Sequence, residues 1–485
     1  MGYWHNQGGF PLSKWGVETY LNMFNHNNTM ENVSIQTQNP KSVHKTYYDV
    51  RQTLNQYFVN RTPLITIAEK PFAITDVVSA AILSKTNMYF VGTRGSGKTL
   101  LSEAIYKGVF NENGFFFRGD VNLRLKDLYI KLNLDGKNED EIYQAAKSIG
   151  FPFVLIDEMN RVPGLLQNSF LPVLDGSIEI RGRKYNLGTG PYLLMAGTGN
   201  PAQNGNYTGV FDEDLALLDR IPLIINTDAI PLAAGDAFDI SYRSADKRLI
   251  TNSDLGERVI STYSSICDKM RDEEVALTLS LLTEFTYRAF RYVQTTNGSV
   301  DKLEDARWRD KLSGEHAGGL MNPFCSEISM RTLLSAEKMG FAMYEIAREE
   351  QELKEKAGIP SGQPTMDDFT KAYFGALKLA LTSDRRFVPE DLSNSFNKPT
   401  GEIQETAMNE VRERLGSNGL ENAVIVISEF VDEQKKGASN SVQNILSDLR
   451  SAPTELGQSL SRLLENRLLN EAQEKELETL SKLEQ

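Results

Sequence analysis

The chain is short of cysteine, histidine, positive charge and long apolar runs, and each shortage closes off a class of function. Two cysteines, Cys267 and Cys325, cannot build a disulfide framework or a four-cysteine metal site. Four scattered histidines (His5, His26, His44, His316) show no ligand spacing, so no structural zinc is expected. Asp and Glu outnumber Lys and Arg, 65 to 52, for a formal net charge of −13. That balance argues against a surface built for non-specific binding to DNA or anionic membranes. No apolar run approaches the roughly 18 residues that cross a bilayer, so no membrane span is expected. The opening MGYWHNQGGF lacks the basic and apolar regions of a signal peptide, and Asn6 stands where a myristoylation signal wants Ser or Thr. The expectation is a cytoplasmic protein.

What is present is enough apolar sequence for large cores, and a length that at about 150 residues per domain suggests roughly three of them. Residues 1–64 are rich in Asn, Gln, Thr and Tyr and read as a polar arm or a small appended element. TPLITIAEK (62–70) is a short strand or extended lead-in, and TDVVSAAILSK (75–85) places Val77, Val78, Ala81 and Ile82 on one helical face. Over 65–228 short apolar strands alternate with helices, the pattern of a parallel sheet with helices on both faces. The strands are MYFVG (88–92), FFFRG (115–119), FPFVLID (151–157), YLLMAGT (192–198) and IPLIIN (221–226). Most are continuous apolar runs, as expected of strands buried on both faces. Hairpins are expected at SIEIRGRKYNL (177–187), turning near Gly182, and near LYIKLNLDGKN (128–138), at Asp135-Gly136. Residues 229–387 read as an all-helical domain, in which Thr365 and Asp368 form a capping-box-like start. Residues 388–485 read as a helical acidic tail, either a partner-binding appendage or a frayed end. Its leucines recur at helical spacing without a sustained heptad.

The chemistry starts at GTRGSGKT (92–99), which fits the G-x-x-x-x-G-K-[ST] phosphate loop. Its glycines let the backbone N–H groups of Gly92, Thr93, Arg94, Gly95, Ser96, Gly97, Lys98, Thr99 and Leu100 curl round a phosphate, and the following helix aims its positive end at the same anion. Lys98 would reach the β- and γ-phosphates of ATP, and Thr99 would give its hydroxyl to Mg²⁺. FVLIDE (153–158) supplies the second half: Asp157 ends an apolar strand beside the metal, and Glu158 would orient and deprotonate the attacking water.

The run from Ile156 to Ile221 then resembles the MoxR branch of the AAA+ ATPases. DEMNRVPGLLQ, a hairpin, TGNP and LLDRI stand here in the family's order, with Ile221 in place of the usual Phe. The resemblance covers about residues 65–385. It implies an AAA+ P-loop NTPase core followed by a helical lid. It also implies that Asn200 is the sensor-1 residue, the alternative being a turn-forming Asn before Pro201. Arg220 matches the arginine finger that enters the neighbouring subunit's site, against a helix-end salt bridge to Asp219 or Asp214. Arg331, in SMR where the family has Ser-Pro-Arg, matches sensor 2. Arg161 either faces a subunit interface or pairs with Glu158 or Asp157. The hairpins match pore-facing inserts, with Arg181, Arg183, Lys184, Lys131 and Lys137 as client contacts or solvated turn residues. The implied function is a ring, a hexamer in the family, that spends ATP to remodel a protein client. The implied clients carry von Willebrand A-type domains, and no DxSxS motif places such a domain in this chain. The alternatives are a nucleic-acid-translocating NTPase, disfavoured by the acidic balance, and a non-hydrolysing nucleotide switch.

Overall fold

The computed structural model describes residues 42–120, 150–180, 183–200, 217, 220–243, 254–290, 329–359, 362, 364–381, 415, 419–452 and 454–483. The hairpin expected near 128–138, with Lys131 and Lys137, lies outside them, as do Arg181, Gly182, Pro201, Asp214 and Asp219.

All five expected core strands form, and they make one parallel sheet. They are β3 (Met88–Val91), β4 (Gly114–Arg118), β5 (Phe153–Asp157), β8 (Leu194–Gly199) and β9 (Leu223–Asn226), in spatial order β4-β5-β8-β3-β9. Strand β8 is thus inserted between the strand that leads into the GTRGSGKT loop and the strand that ends in Asp157. Two-sided burial explains the continuous apolar runs. Phe153, Leu155, Leu194 and Ala196 face one core, and Val154, Ile156, Met195 and Ile224 face the other.

Two antiparallel ribbons accompany the sheet. β1 (Pro63–Ile67) pairs with β2 (Lys70–Ala73) through a turn at Ala68 and Glu69, both at positive φ. β6 (Ser177–Ile180) pairs with β7 (Arg183–Asn186), which is the hairpin expected at 177–187. Its base is closed by Leu187 N–H donating to Gly176 O at 2.8 Å.

The N-terminal region contributes more than polar chain. Helix α1 (Val43–Asn55) buries Val43, Tyr47, Val50 and Leu54 along one stripe. It lies on α2 (Ile74–Leu83), and every residue of α2 is buried. One apolar face was legible in α2, but α1 covers what would otherwise be its solvent side. Arg51 and the Tyr47 hydroxyl both engage the buried Asp76 of α2, whose other oxygen accepts the Ala73 N–H at 2.8 Å. Desolvation, with Asp76 next in effect, drives the Tyr47 phenol far above its ordinary range.

The loop after β3 opens α3 (Lys98–Glu103), which continues as a π-helical turn over Ala104–Val109. After β5 come the short helices α4 (Gly164–Gln167) and α5 (Leu171–Leu174). After β9 the chain is helical: α6 (Asp236–Arg243), α7 (Leu255–Met270), α8 (Glu273–Phe290), α9 (Met330–Lys356), α10 (Met366–Leu381), α11 (Gly419–Lys435), α12 (Ser439–Arg450) and α13 (Glu455–Leu483). The architecture is an α/β P-loop core joined to a helical domain.

Helices α9 and α10 pack so closely that a Cβ on Gly340 would stand 2.7 Å from Tyr373 Cα. The α10 start is capped as expected, with Asp368 N–H donating to Thr365 Oγ1 at 3.3 Å and Thr365 N–H to Asp368 Oδ2 at 2.9 Å. In the tail, Ile427, Phe430, Leu460 and Leu464 are buried in the same apolar core as α8 and α10. Arg467 also pairs with Glu273 at the start of α8.

Candidate functional site

Every strand of the central sheet delivers a polar residue at or just beyond its carboxyl end, on one edge. Arg118 ends β4, Asp157 ends β5, Thr198 and Asn200 flank the last residue of β8, Thr93 lies two residues past β3, and Thr227 and Asp228 follow β9. Open α/β sheets bind ligands at this edge, where the strand order reverses.

The loop itself has the conformation its glycines permit. Gly95 and Gly97 take φ of 84° and 88°, in the left-handed region that side chains avoid. A Cβ on Gly97 would also come within 2.7 Å of the Phe58 ring. Lys98 is buried and turned back into the loop, donating to Gly92 O at 2.6 Å and Thr93 O at 2.7 Å. Burial pushes its ammonium below the usual lysine range, opposed by the carboxylates of Asp228, Asp157 and Glu158.

A hydrogen-bonded chain joins the loop to β5 and β8. Thr99 Oγ1 donates to Asp157 Oδ1 at 3.3 Å, Thr198 Oγ1 donates to the same oxygen at 2.7 Å, and Glu158 N–H donates to Thr198 Oγ1 at 2.9 Å. Glu158 takes φ 53° and ψ 45°, a left-handed conformation that costs a non-glycine residue about 1–2 kcal/mol. Such strain is tolerated where the surroundings over-determine the geometry. Here the surroundings include Gly119, whose N–H donates to Asp157 O at 2.7 Å. A Cβ on Gly119 would stand 2.1 Å from Glu158 O, so only glycine allows that approach. The Glu158 carboxylate lies 3.6 Å from Arg118 Nε and 3.4 Å from Arg161 Nε. Of the two placements open to Arg161, the described one is the pairing with Glu158. Asn200 is buried, and its backbone oxygen accepts from Asn160 Nδ2 at 2.5 Å.

The donor set suits the ligands implied. Thr99 and Asp157 offer hard oxygens and no nitrogen or sulfur, the chemistry Mg²⁺ prefers. Positive-φ glycines and a buried lysine ammonium suit a polyphosphate.

One expected residue is not brought to this edge. Arg220 precedes β9, at the opposite end of the sheet, where its carbonyl accepts from Asn87 Nδ2 at 3.0 Å. Its guanidinium pairs with both oxygens of Asp175, at 2.8 and 3.0 Å. Arg331 stands exposed in the first turn of α9, behind the N-cap Ser329. On the hairpin, Lys184 is exposed.

Sequence reasoning passed over Thr198, Arg118, Thr227 and Asp228. Thr198 carried a usable signal: two residues before Asn200, it falls on the same face of the strand. Arg118 did too, as the charged end of an apolar run. Nothing local marks Thr227 or Asp228, which matter only because β9 lies against β3.

No protein-family model matches the chain, and no curated protein does. Among solved structures it is similar to a crystal structure described as a "putative ATPase" from Cytophaga hutchinsonii, at 14% identity and a TM-score of 0.48. The match covers 76% of this chain and 94% of that one.

Proposed function

We propose that the chain is a Mg²⁺-dependent ATPase of the MoxR type, working as a ring that remodels a protein partner. The observation that carries the hydrolytic reading is the chain Thr99–Asp157–Thr198–Glu158, which ties the phosphate loop to the end of β5. The loop from Gly92 to Leu100 would hold the phosphates, though not through the N–H groups of Gly92 and Thr93, which donate to Gly199 O and Asp228 Oδ2. Lys98 would be released from the Gly92 and Thr93 carbonyls to meet them. Thr99 and Asp157 would hold Mg²⁺, which when bound neutralises phosphate charge. Glu158 would take the proton of the attacking water, and Asn200 would help position that water. Arg118 and Arg161, both beside the Glu158 carboxylate, would have to release it before it can act as a base.

The ring reading rests on Arg220. A residue at the amino end of β9 cannot reach a loop at the carboxyl end of β3 in its own subunit, so any catalytic role must be played on a neighbour. Arg331, on the helical domain, is assigned to the same nucleotide by resemblance alone. The client would be a separate protein, of von Willebrand A type in this reading, and the β6–β7 hairpin with Lys184 is the element offered to it.

The test is phosphate release from ATP by the purified full-length chain, with and without Mg²⁺, together with its mass in ATP. Mg²⁺-dependent turnover by a ring is expected. Absence of both turnover and ATP binding would sink the enzymatic reading, and a monomer at all concentrations would sink the ring.

A further inference from the structure

The turn after β9 grips the start of the phosphate loop. Thr93 donates twice to one carboxylate: its N–H to Asp228 Oδ2 at 2.6 Å and its hydroxyl to Asp228 Oδ1 at 3.0 Å. The preceding residue completes the grip, because Thr227 Oγ1 lies 3.1 Å from Val91 O and 2.8 Å from Ser96 Oγ. The turn is itself fixed, with Asp228 N–H donating to Asn226 Oδ1 at 3.0 Å. Gly92 has no room for a side chain. A Cβ there would lie 2.2 Å from Thr227 Oγ1, 2.7 Å from Ser96 Oγ and 3.2 Å from Asp228 Oδ1.

We propose that Thr227 and Asp228 are positioning residues that hold the phosphate loop open for a nucleoside triphosphate before it binds. The inference rests on reading that loop as the nucleotide site. The argument is one of peptide orientation. The Gly92 and Thr93 carbonyls point inward, where they hold the Lys98 ammonium. The Thr93 N–H is therefore left facing away from the phosphate cradle and needs another acceptor. Asp228 is that acceptor, and it carries a full charge, which strengthens the bond. Thr227 then pins Ser96, in the middle of the loop, to the end of β3. The loop's two halves are thus tied to β9 independently of any ligand. A nucleotide meeting a preformed loop does not have to order it, and saves that part of the binding cost.

Asp228 and Thr227 touch no phosphate in this reading, so their loss should weaken ATP binding and leave the chemical step alone. In full-length protein with ATP and Mg²⁺, Asp228→Ala is expected to raise Kd and KM about tenfold, with kcat at saturating ATP within about twofold of wild type. Asp228→Asn should recover most of the loss, because its amide can accept the Thr93 N–H and donate to the Thr93 hydroxyl. Unchanged Kd and KM in a folded Asp228→Ala protein would overturn the inference, as would a fall in kcat at constant KM, or a failure of Asn to rescue. Should Asp228→Ala not fold, the near-isosteric Thr227→Val carries the same test at about threefold in KM, and no shift there overturns it. Wild-type protein that binds no ATP would overturn the nucleotide reading itself, a result distinct from wild-type binding that Asp228→Ala leaves intact.

Discussion

Mixing two inactive variants would show whether Arg220 serves a neighbouring subunit. The perturbations are Arg220→Ala and Glu158→Gln, each prepared alone and then combined in equal amounts. The Arg220 carbonyl is fixed to Asn87, just before β3, whereas the loop begins at Gly92, just after it. Five residues at about 3.3 Å each put roughly 16 Å of strand between them. That exceeds the reach of an arginine side chain, and the guanidinium is in addition turned onto Asp175. Each variant alone should therefore lose most activity, by about 10³-fold or more for the arginine. In a randomly mixed ring, a working site needs an Arg220→Ala subunit holding ATP beside a Glu158→Gln subunit lending its arginine. With equal amounts and independent sites, about a quarter of the junctions qualify in a head-to-tail ring. The assay is phosphate release after mixing, and recovery to about a quarter of the wild-type rate is expected. An inactive mixture would refute the reasoning from strand length, and so would Arg220→Ala protein that hydrolyses ATP at the wild-type rate.

Three further outcomes follow from named contacts. Glu158→Gln alone should keep ATP affinity, measured by equilibrium binding, while turnover falls about 10²–10⁴-fold. Gly340→Ala should destabilise by about 1–3 kcal/mol in urea titration, because the added methyl meets the backbone of Tyr373 and the overpacking outweighs the roughly 1 kcal/mol of helix propensity that alanine offers. Glu350, held below the usual carboxylate range chiefly by the His44 imidazole 3.6 Å away and then by Lys70 and Lys354, binds its proton more readily in the unfolded chain. Its contribution is therefore complete above about pH 5 and drains away as pH falls through about 4 toward the depressed folded value. Urea midpoints should drop over that window, and Glu350→Gln should flatten the drop.

The parts legible in the sequence are those whose signal is local. The strands that became β3, β5, β8 and β9 are short apolar runs, and Asp157 and Asn200 were found because each stands at the end of such a run. The Thr365–Asp368 cap was legible for the same reason, since both partners lie within one turn. The parts that were missed depend on partners far away in the chain. Four apolar residues of α1, spread through a polar stretch, look unremarkable until α2 is found beneath them. Asp228 lies 135 residues from Thr93 and gains its meaning only from the pairing of β9 with β3. For Arg220, the partners that the sequence suggests are its near neighbours Asp219 and Asp214. The described pairing is with Asp175, brought close by the fold.

The sheet separates two groups of residues to which the proposed ring gives different roles. At its carboxyl edge, Asp157, Glu158, Thr198 and the phosphate loop are joined by hydrogen bonds within one subunit, so they can be organised before any partner arrives. At the opposite end, Arg220, itself 17% exposed, is held by a two-point pair with Asp175, which is 44% exposed. In the proposed ring, the phosphate on the neighbouring subunit would have to compete with both of those bonds for the guanidinium. Asp175 also stands two residues before β6, at the base of the hairpin proposed to meet the client. In the proposed ring, force on that hairpin would act first on Asp175, and through it on the arginine offered to the next subunit.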